Sequence, residues 1–338
     1  RRRVHNQLAE AKGNIRVFCR VRPASAKEAT DGAVGVRTTS EAELVPSTRR
    51  APEQSFEFDR VFGPASTQAD VFQEVSSMAI SALDGFHSCI FAYGQTGAGK
   101  THTMMGTATD PGVNFRTLEA MFEEAGDRSG SHTYTFSVSY VEIYNEAVKD
   151  LLGGDGAPLD VRQGSSGVYL PGVTLEPVSS LQDVRGVMDR GGAARSVGAT
   201  SCNEHSSRSH SLLMVHCHGK NAVSGAVSNG RLVLVDLAGS ERVAKSKVDG
   251  ARLKETQAIN KSLAALGNVI SALVCGAGHV PFRDSKLTYL LQDSLGKDNK
   301  TLMIAQLNPM AASRGESVCT LNFASRVRKV ELGKAKCH

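Results

Sequence analysis

Gly94, Gly99, Lys100 and Thr101 stand in the order G-x-x-x-x-G-K-T within residues 91–101, FAYGQTGAGKT, a pattern suited to cradling phosphate. Glycines at 94, 97 and 99 let the backbone turn tightly, so that successive N–H groups face phosphate oxygens beside a helix N-terminus. Gln95, Thr96 and Ala98 complete the loop. Lys100 is placed to neutralise β- and γ-phosphates. Thr101 sets a hydroxyl where a magnesium ion bridging those phosphates needs an oxygen ligand.

Two further stretches complete such a site. The apolar run 232–235 ends at Asp236, with Leu237, Ala238 and Gly239 behind it. A buried parallel strand that delivers an aspartate at its C-terminal end is what a magnesium site needs opposite a phosphate loop, through a bound water. Gly239, lacking a side chain, can bring its N–H against a γ-phosphate, so that a loop starting there reports on that phosphate. Residues 203–210, NEHSSRSH, gather small hydroxyls around Arg208. They suit a γ-phosphate and a water; a helix N-cap with a surface arginine is the plain alternative.

The elements that must hold these groups can be read around them. Residues 89–92 predict a buried strand into the loop, and Thr101 onward predicts a helix. Residues 14–23, NIRVFCRVRP, alternate into a strand whose end crowds Arg20, Arg22 and Pro23 where a nucleotide base could rest. Another strand is expected over 55–62, an amphipathic helix over 68–83, helix over 117–124, strand over 134–143 and helix over 180–190. Residues 24–54 carry little signal. This alternation predicts an α/β fold with a mostly parallel sheet and helices on both faces, as one domain over about 14–330. Residues 1–13 carry Val4, Leu8 and Ala11 at helical spacing ahead of Gly13, which fits equally a coiled-coil end or a helix on the domain surface. The first residue is not methionine, and we expect sequence upstream.

At 338 residues and 41% hydrophobic content, the chain can bury a large core. It has no run of eighteen apolar residues and no apolar segment behind its basic start, so neither a membrane-spanning helix nor a secretory signal is expected within these residues. Seven cysteines without a C-x-x-C pair predict reduced thiols in the cytosol. His216, Cys217 and His218 would alternate across a strand, which argues against a shared metal. The net charge of +5 hides an asymmetry: residues 231–338 hold 17 Lys and Arg against 9 Asp and Glu. A basic C-terminal third predicts a large acidic partner, nucleic acid or an acidic protein surface, reached through salt-sensitive attraction.

In order and at family spacing, FAYGQTGAGKTHTM, NEHSSRSH, VDLAGSER, ETQAINKSLAALGNVISAL and HVPFRDSKLTYLLQDSLG resemble the kinesin motor domain, over about residues 14–332. The opening HNQLAEAKGNIRVFCRVRP resembles the kinesin-14 subfamily, whose motor follows its stalk. The resemblance implies a P-loop NTPase fold with a stalk end at 1–13, a motor at 14–332 and a short tail at 333–338. It implies ATP and Mg2+ as ligands and a microtubule-stimulated, minus-end-directed ATPase acting on the microtubule cytoskeleton in the cytoplasm and on the spindle. Arg20, Arg22, Pro23 and His102 would flank the base. Asn203, Ser206 and Ser207 would line the γ-phosphate, with Ser207 also near the magnesium, and Arg208 would pair with Glu241. Lys245, Lys247, Arg252, Lys254, Lys261, Arg283 and Lys286 would meet acidic tubulin. Ile259, Leu263, Leu266, Ile270 and Leu273 would face the core, and Tyr289 departs from an arginine found in many plus-end kinesins. Homodimerisation would run through a stalk upstream.

Three rival readings follow from the same residues. A GTP switch lacks its guanine-reading N-K-x-D, since Leu263 stands where the carboxylate belongs. A microtubule-binding module with weak or lost ATPase would not need Lys100, Thr101, Ser207, Arg208, Asp236, Gly239 and Glu241 together. A nucleic-acid-binding ATPase fits the basic third alone, and the family motifs set it aside.

Overall fold

β1 (Ile15–Val21) sends Val17 and Cys19 to one face of a sheet and Phe18 to the other, and both sides are buried. The computed structural model describes residues 15–31, 33–47, 54–153, 156–165, 167–197, 205–241, 251–296 and 299–331. After β1 come α1 (Ala26–Asp31), β2 (Val36–Thr38), β3 (Glu43–Pro46), β4 (Phe56–Glu57), β5 (Arg60–Phe62), α2 (Gln68–Leu83), β6 (His87–Tyr93) and α3 (Lys100–Met104). The middle holds α4 (Val113–Asp127), β7 (His132–Tyr144), β8 (Ala147–Asp150), β9 (Pro158–Leu159), β10 (Arg162–Gly164), β11 (Gly167–Tyr169), β12 (Glu176–Val178) and α5 (Leu181–Val197). The last part is β13 (His210–Asn221), β14 (Val227–Asp236), α6 (Ala251–Val274), α7 (Lys286–Leu290), β15 (Asn299–Leu307) and α8 (Arg314–Arg328).

Among the described residues, ten strands form the main sheet in the order β5-β1-β15-β6-β14-β13-β7-β8-β9, with β12 also on β7. The expected α/β fold forms, with a more evenly mixed sheet than the sequence suggests. Pairing is parallel from β5 to β14 and antiparallel beyond it. The short connection 222–226 accounts for the change, because a parallel return needs a crossover about a dozen residues long.

Alternation along the central strands divides the core. Phe91, Val235 and Met303 join one cluster with Leu266 and Ile270 of α6, Leu287 of α7 and Leu321 of α8. Ile90, Leu234 and Ile304 join the other with Val71 and Val75 of α2, Leu118 of α4 and Val187 of α5. Both faces are therefore covered by helices. Of the face expected on α6, Leu266 and Ile270 are buried and Leu273 packs at the margin, while Ile259 and Leu263 are only half-buried.

Helix α2 forms where expected. Its start is fixed by a reciprocal cap between Thr67 and Asp70. The strand expected over 55–62 is broken into β4 and β5, because the Asp59 carboxylate accepts the Val17 N–H at 2.7 Å and redirects the chain. β4 joins β3 and β2 in a separate small sheet. Residues 1–13 and 333–338 lie outside the described residues. Cys217 is buried while His218 is exposed and bonds Asn229, as strand alternation requires.

Candidate functional site

Four neighbouring strands deliver the site. β6 lies between β15 and β14, and Asp236 at the end of β14 is in register with Ala92 just before the phosphate loop. β13 starts where β14 ends, with Ser211 opposite Asp236. The loop after β6, the segment after β14 and the segment entering β13 therefore meet at one edge, outside the C-terminal ends of parallel strands.

Within the phosphate loop Gly94, Gly97 and Gly99 all have left-handed φ, at 152°, 75° and 102°. Gly94 also lies so close to the Gln306 carbonyl on β15 that a side chain would overlap it. The Lys100 ammonium folds over the loop and donates to the carbonyls of Gly94 (2.8 Å) and Gln95 (3.1 Å). Burial lowers its pKa, against the opposing pull of Asp236 and Glu241. Arg22 braces the loop from β1: its Nε donates to Gly97 O at 2.6 Å, and Glu28 of α1 holds the rest of its guanidinium. Pro23 and His102 are exposed at the rim of the same loop.

Arg20 is placed differently from expectation. It is 6% exposed, and its guanidinium donates to Gln68 Oε1 (2.7 Å), Thr103 Oγ1 (2.9 Å) and Ser66 O (3.3 Å). Gln68 in turn donates to His102 O at 2.6 Å. A buried guanidinium must satisfy its donors, and here the acceptors come from α2 and α3 rather than from a base. Arg20→Met is expected to cost about 2 kcal/mol of stability through the stranded acceptors, read as a lower urea midpoint. Nucleotide affinity should stay within about twofold, since no uniform binding contact is lost. A normally folded variant with tenfold weaker nucleotide binding would return Arg20 to the base site.

The Thr101 hydroxyl donates to Asp236 Oδ2 at 2.7 Å. Asp236 is 4% exposed, and its buried Oδ1 has no hydrogen-bond partner among the described residues. A buried carboxylate oxygen left unpaired beside a hydroxyl fits a divalent cation or its bound water. The residues present therefore fit magnesium.

Gly239 and its neighbours knit three segments together. Gly239 N donates to Ser207 O (2.8 Å), and Ser240 N donates to Gly94 O (3.1 Å). The Gly239 N–H expected at a γ-phosphate is thus used by Ser207, because the two segments leave adjacent antiparallel strands and meet there. Glu241 accepts from the Thr96 N–H at 2.7 Å and from its hydroxyl. Among the described residues, Arg208 pairs with Glu255 of α6 at 2.9 Å instead of with the expected Glu241. Glu255 is 7% exposed, and a buried carboxylate needs a cation more than Glu241 does once Thr96 has supplied two donors.

Below this edge lies a buried cluster with no simple sequence signal. Glu142 on β7 pairs with Arg195 of α5 (3.2 Å) and His205 (2.9 Å). Arg195 also donates to the carbonyls of Ser206 and Ser209, so the cluster fixes the backbone that carries Ser207 and Arg208. Glu142 shows only as one polar position in the apolar alternation of β7.

Of the proposed partner contacts, Lys261 is exposed on α6 and lies 3.6 Å from Glu146. Lys286 begins α7, and Arg283 stacks over the Tyr289 ring at 5.4 Å, so the tyrosine positions the cation beside it. Asn203, Lys245 and Lys247 lie outside the described residues, as do the side chains of Arg252 and Lys254.

Residues 20–330 match the family model of the kinesin motor domain. The chain is 51% identical to the kinesin-like protein KIN-14Q of Arabidopsis thaliana, over 99% of this chain and 29% of that protein. It is 50% identical to KIN-14J of Oryza sativa subsp. japonica, over 99% of this chain and 41% of that one. The chain therefore spans well under half the length of these curated relatives. A solved structure of a fast kinesin superposes with a TM-score of 0.90 at 42% identity, covering 96% of this chain and 94% of that one. The C-terminal motor and motor homology domain of Kar3Vik1 superposes with a TM-score of 0.87 at 40% identity, covering 96% and 88%. With the phosphate loop, Asp236 and the 205–210 segment gathered at one sheet edge, this chain belongs to the kinesin motor domain family.

Proposed function

We propose that the chain is a microtubule-stimulated ATPase that turns ATP hydrolysis into force along microtubules. The observation that carries this reading is the Arg208–Glu255 pair. It joins the segment beside the phosphate loop to α6, the helix whose exposed side carries Lys261. A change at the phosphate end can therefore be felt on a basic face.

The loop N–H groups and Lys100 hold the phosphates, and Arg22 keeps that loop closed from β1. Thr101 and Asp236 are the residues that would hold magnesium, which when bound supplies a Lewis acid to the phosphate oxygens. Ser206 and Ser207 line the γ-phosphate side with Asn203. Arg208 exchanges Glu255 for Glu241, which adds an ion pair between the already bonded 205–210 and 236–241 segments and orders the attacking water. Lys245, Lys247, Arg252, Lys254, Lys261, Arg283 and Lys286 meet the acidic tubulin surface. The kinesin-14 names of the relatives support minus-end direction, with residues 1–13 as the end of a dimerising stalk that acts as a lever. Action in the cytoplasm and on the spindle follows from the same reading.

The test is ATP turnover with and without polymerised tubulin at low and moderate salt. A large stimulation that weakens with salt is expected. Salt-sensitive binding without stimulated turnover would replace the motor by a microtubule-binding module with a lost ATPase. Direction is read from polarity-marked microtubules gliding on a longer chain that includes the upstream stalk, and plus-end motion overturns that part.

A further inference from the structure

We propose that His210 is a positioning residue that links the Ala238–Gly239 backbone to α6 through Ser262, so that this one hydrogen-bonded line transmits the state of the phosphate site. The proposal rests on the motor reading above and adds a named route to it.

Every proton on the line is assigned by its neighbours. The Ala238 N–H donates to His210 Nδ1 at 3.0 Å, so Nδ1 is unprotonated and the ring proton sits on Nε2. Nε2 lies 2.8 Å from Ser262 Oγ and donates to it. The Ser262 hydroxyl then donates to Ile259 O at 2.8 Å, one turn back on α6. His210 is 2% exposed and Ser262 is 1% exposed, so water offers neither group another partner. Burial, with the positive charges of Arg195 and Lys100, lowers the His210 pKa to about 3, and the ring stays neutral with this tautomer at working pH.

Both ends of the line are mechanically anchored. His210 opens β13 and is in register with Ile143 of β7. On the other side, consecutive N–H groups of Ala238 and Gly239 are both given to the 207–210 segment, one to His210 and one to Ser207 O. These two segments therefore move as one, and α6 is tied to them by His210 and by Arg208. The Arg208 side chain is 29% exposed, which makes its ion pair open to screening and to exchange. The buried imidazole link is short, directional and unscreened. A shift of Gly239 must either carry Ser262 with it or leave a buried N–H unpaired.

The experiment compares the parent with Ser262→Ala and Ser262→Thr, each checked by thermal melting. In S262A, basal turnover is expected within about twofold of the parent, while maximal microtubule-stimulated turnover falls at least about fivefold at an unchanged half-saturating tubulin concentration. S262T, which keeps the hydroxyl, should recover most of the stimulation. A second readout needs no tubulin: amide hydrogen exchange over 263–274 should change when Mg-AMP-PNP is added to the parent and should not change in S262A. Full stimulation and a parent-like exchange response in S262A overturn the link. A parent that binds nucleotide yet shows no microtubule stimulation overturns the motor reading, and the exchange measurement then still decides the link.

Discussion

Lys100→Ala is expected to lower ATP turnover by on the order of 10³-fold, with or without microtubules. Two effects combine. The substitution removes the cation that meets the phosphates, and it removes the donor that ties the carbonyls of Gly94 and Gln95 together. The loop then loses a brace as well as a charge, so nucleotide affinity should fall along with turnover. Stability should not follow. Burial already lowers the Lys100 pKa, which means that the folded chain bears a desolvation cost for this ammonium. Taking it away should leave the melting temperature without nucleotide close to the parent value. The discriminating measurement is melting with and without Mg-ATP: the parent gains stability from the ligand, and the variant should gain little. Parent-like turnover would remove Lys100 from the site altogether.

How much of this could be read in advance depended on whether the determining contact was local. The phosphate loop was legible because its glycines, Lys100 and Thr101 act within one turn of chain, and Asp236 because a fully apolar strand ending in a carboxylate is a local signature. Helix α2 was legible over 68–83 through its amphipathic pattern, and the structure adds the Thr67–Asp70 cap that fixes its start. Arg20 was not. A strand arginine looks the same in sequence whether it meets solvent, a base or, as here, acceptors on α2 and α3. The partner of Arg208 was hidden for a related reason: Glu255 is 47 residues away, and only the packing of α6 makes its carboxylate a buried one that must be matched. His210 lay inside a quoted motif, yet its role depends on Ser262 and Ala238 from two other elements. The small sheet of β2, β3 and β4 was missed because strands of two to four residues are too short to show a period.

These long-range contacts share a consequence. Thr101, Glu241, Arg208 and His210 are each held by hydrogen bonds to a different segment, and Arg22 holds the loop from the end of β1, so the site is a junction where β1, β6, β13, β14 and α6 are tied together. Local motifs supply the chemistry, and the ties between motifs decide how a change at one reaches another. Substitutions that alter a tie should therefore separate basal from stimulated turnover, whereas substitutions in the loop itself should reduce both.

Gly239→Ala is the sharpest case of the first kind, with an expected loss of stimulated turnover on the order of 10²-fold. No backbone angle is at issue. A methyl at this position would overlap the Thr96 hydroxyl and both oxygens of the Glu241 carboxylate, with Oε1 at only 2.7 Å. Something must move, and the backbone is pinned by its bonds to Ser207 O and, through Ser240, to Gly94 O. The side chains give way: Glu241 leaves Thr96, and the 236–241 segment can no longer settle against the phosphate loop. Basal turnover should fall less, because Lys100, Thr101 and Asp236 keep their places. The overlap with Thr96 is testable on its own. If crowding is the cause, removing the Thr96 side chain should relieve part of it, so T96A with G239A should be less impaired than the two single losses predict, a coupling that a double-mutant cycle measures directly. Strictly additive losses would mean that the close approach of Thr96 is incidental to turnover, and that the methyl acts through Glu241 or by holding a phosphate off the Gly239 N–H.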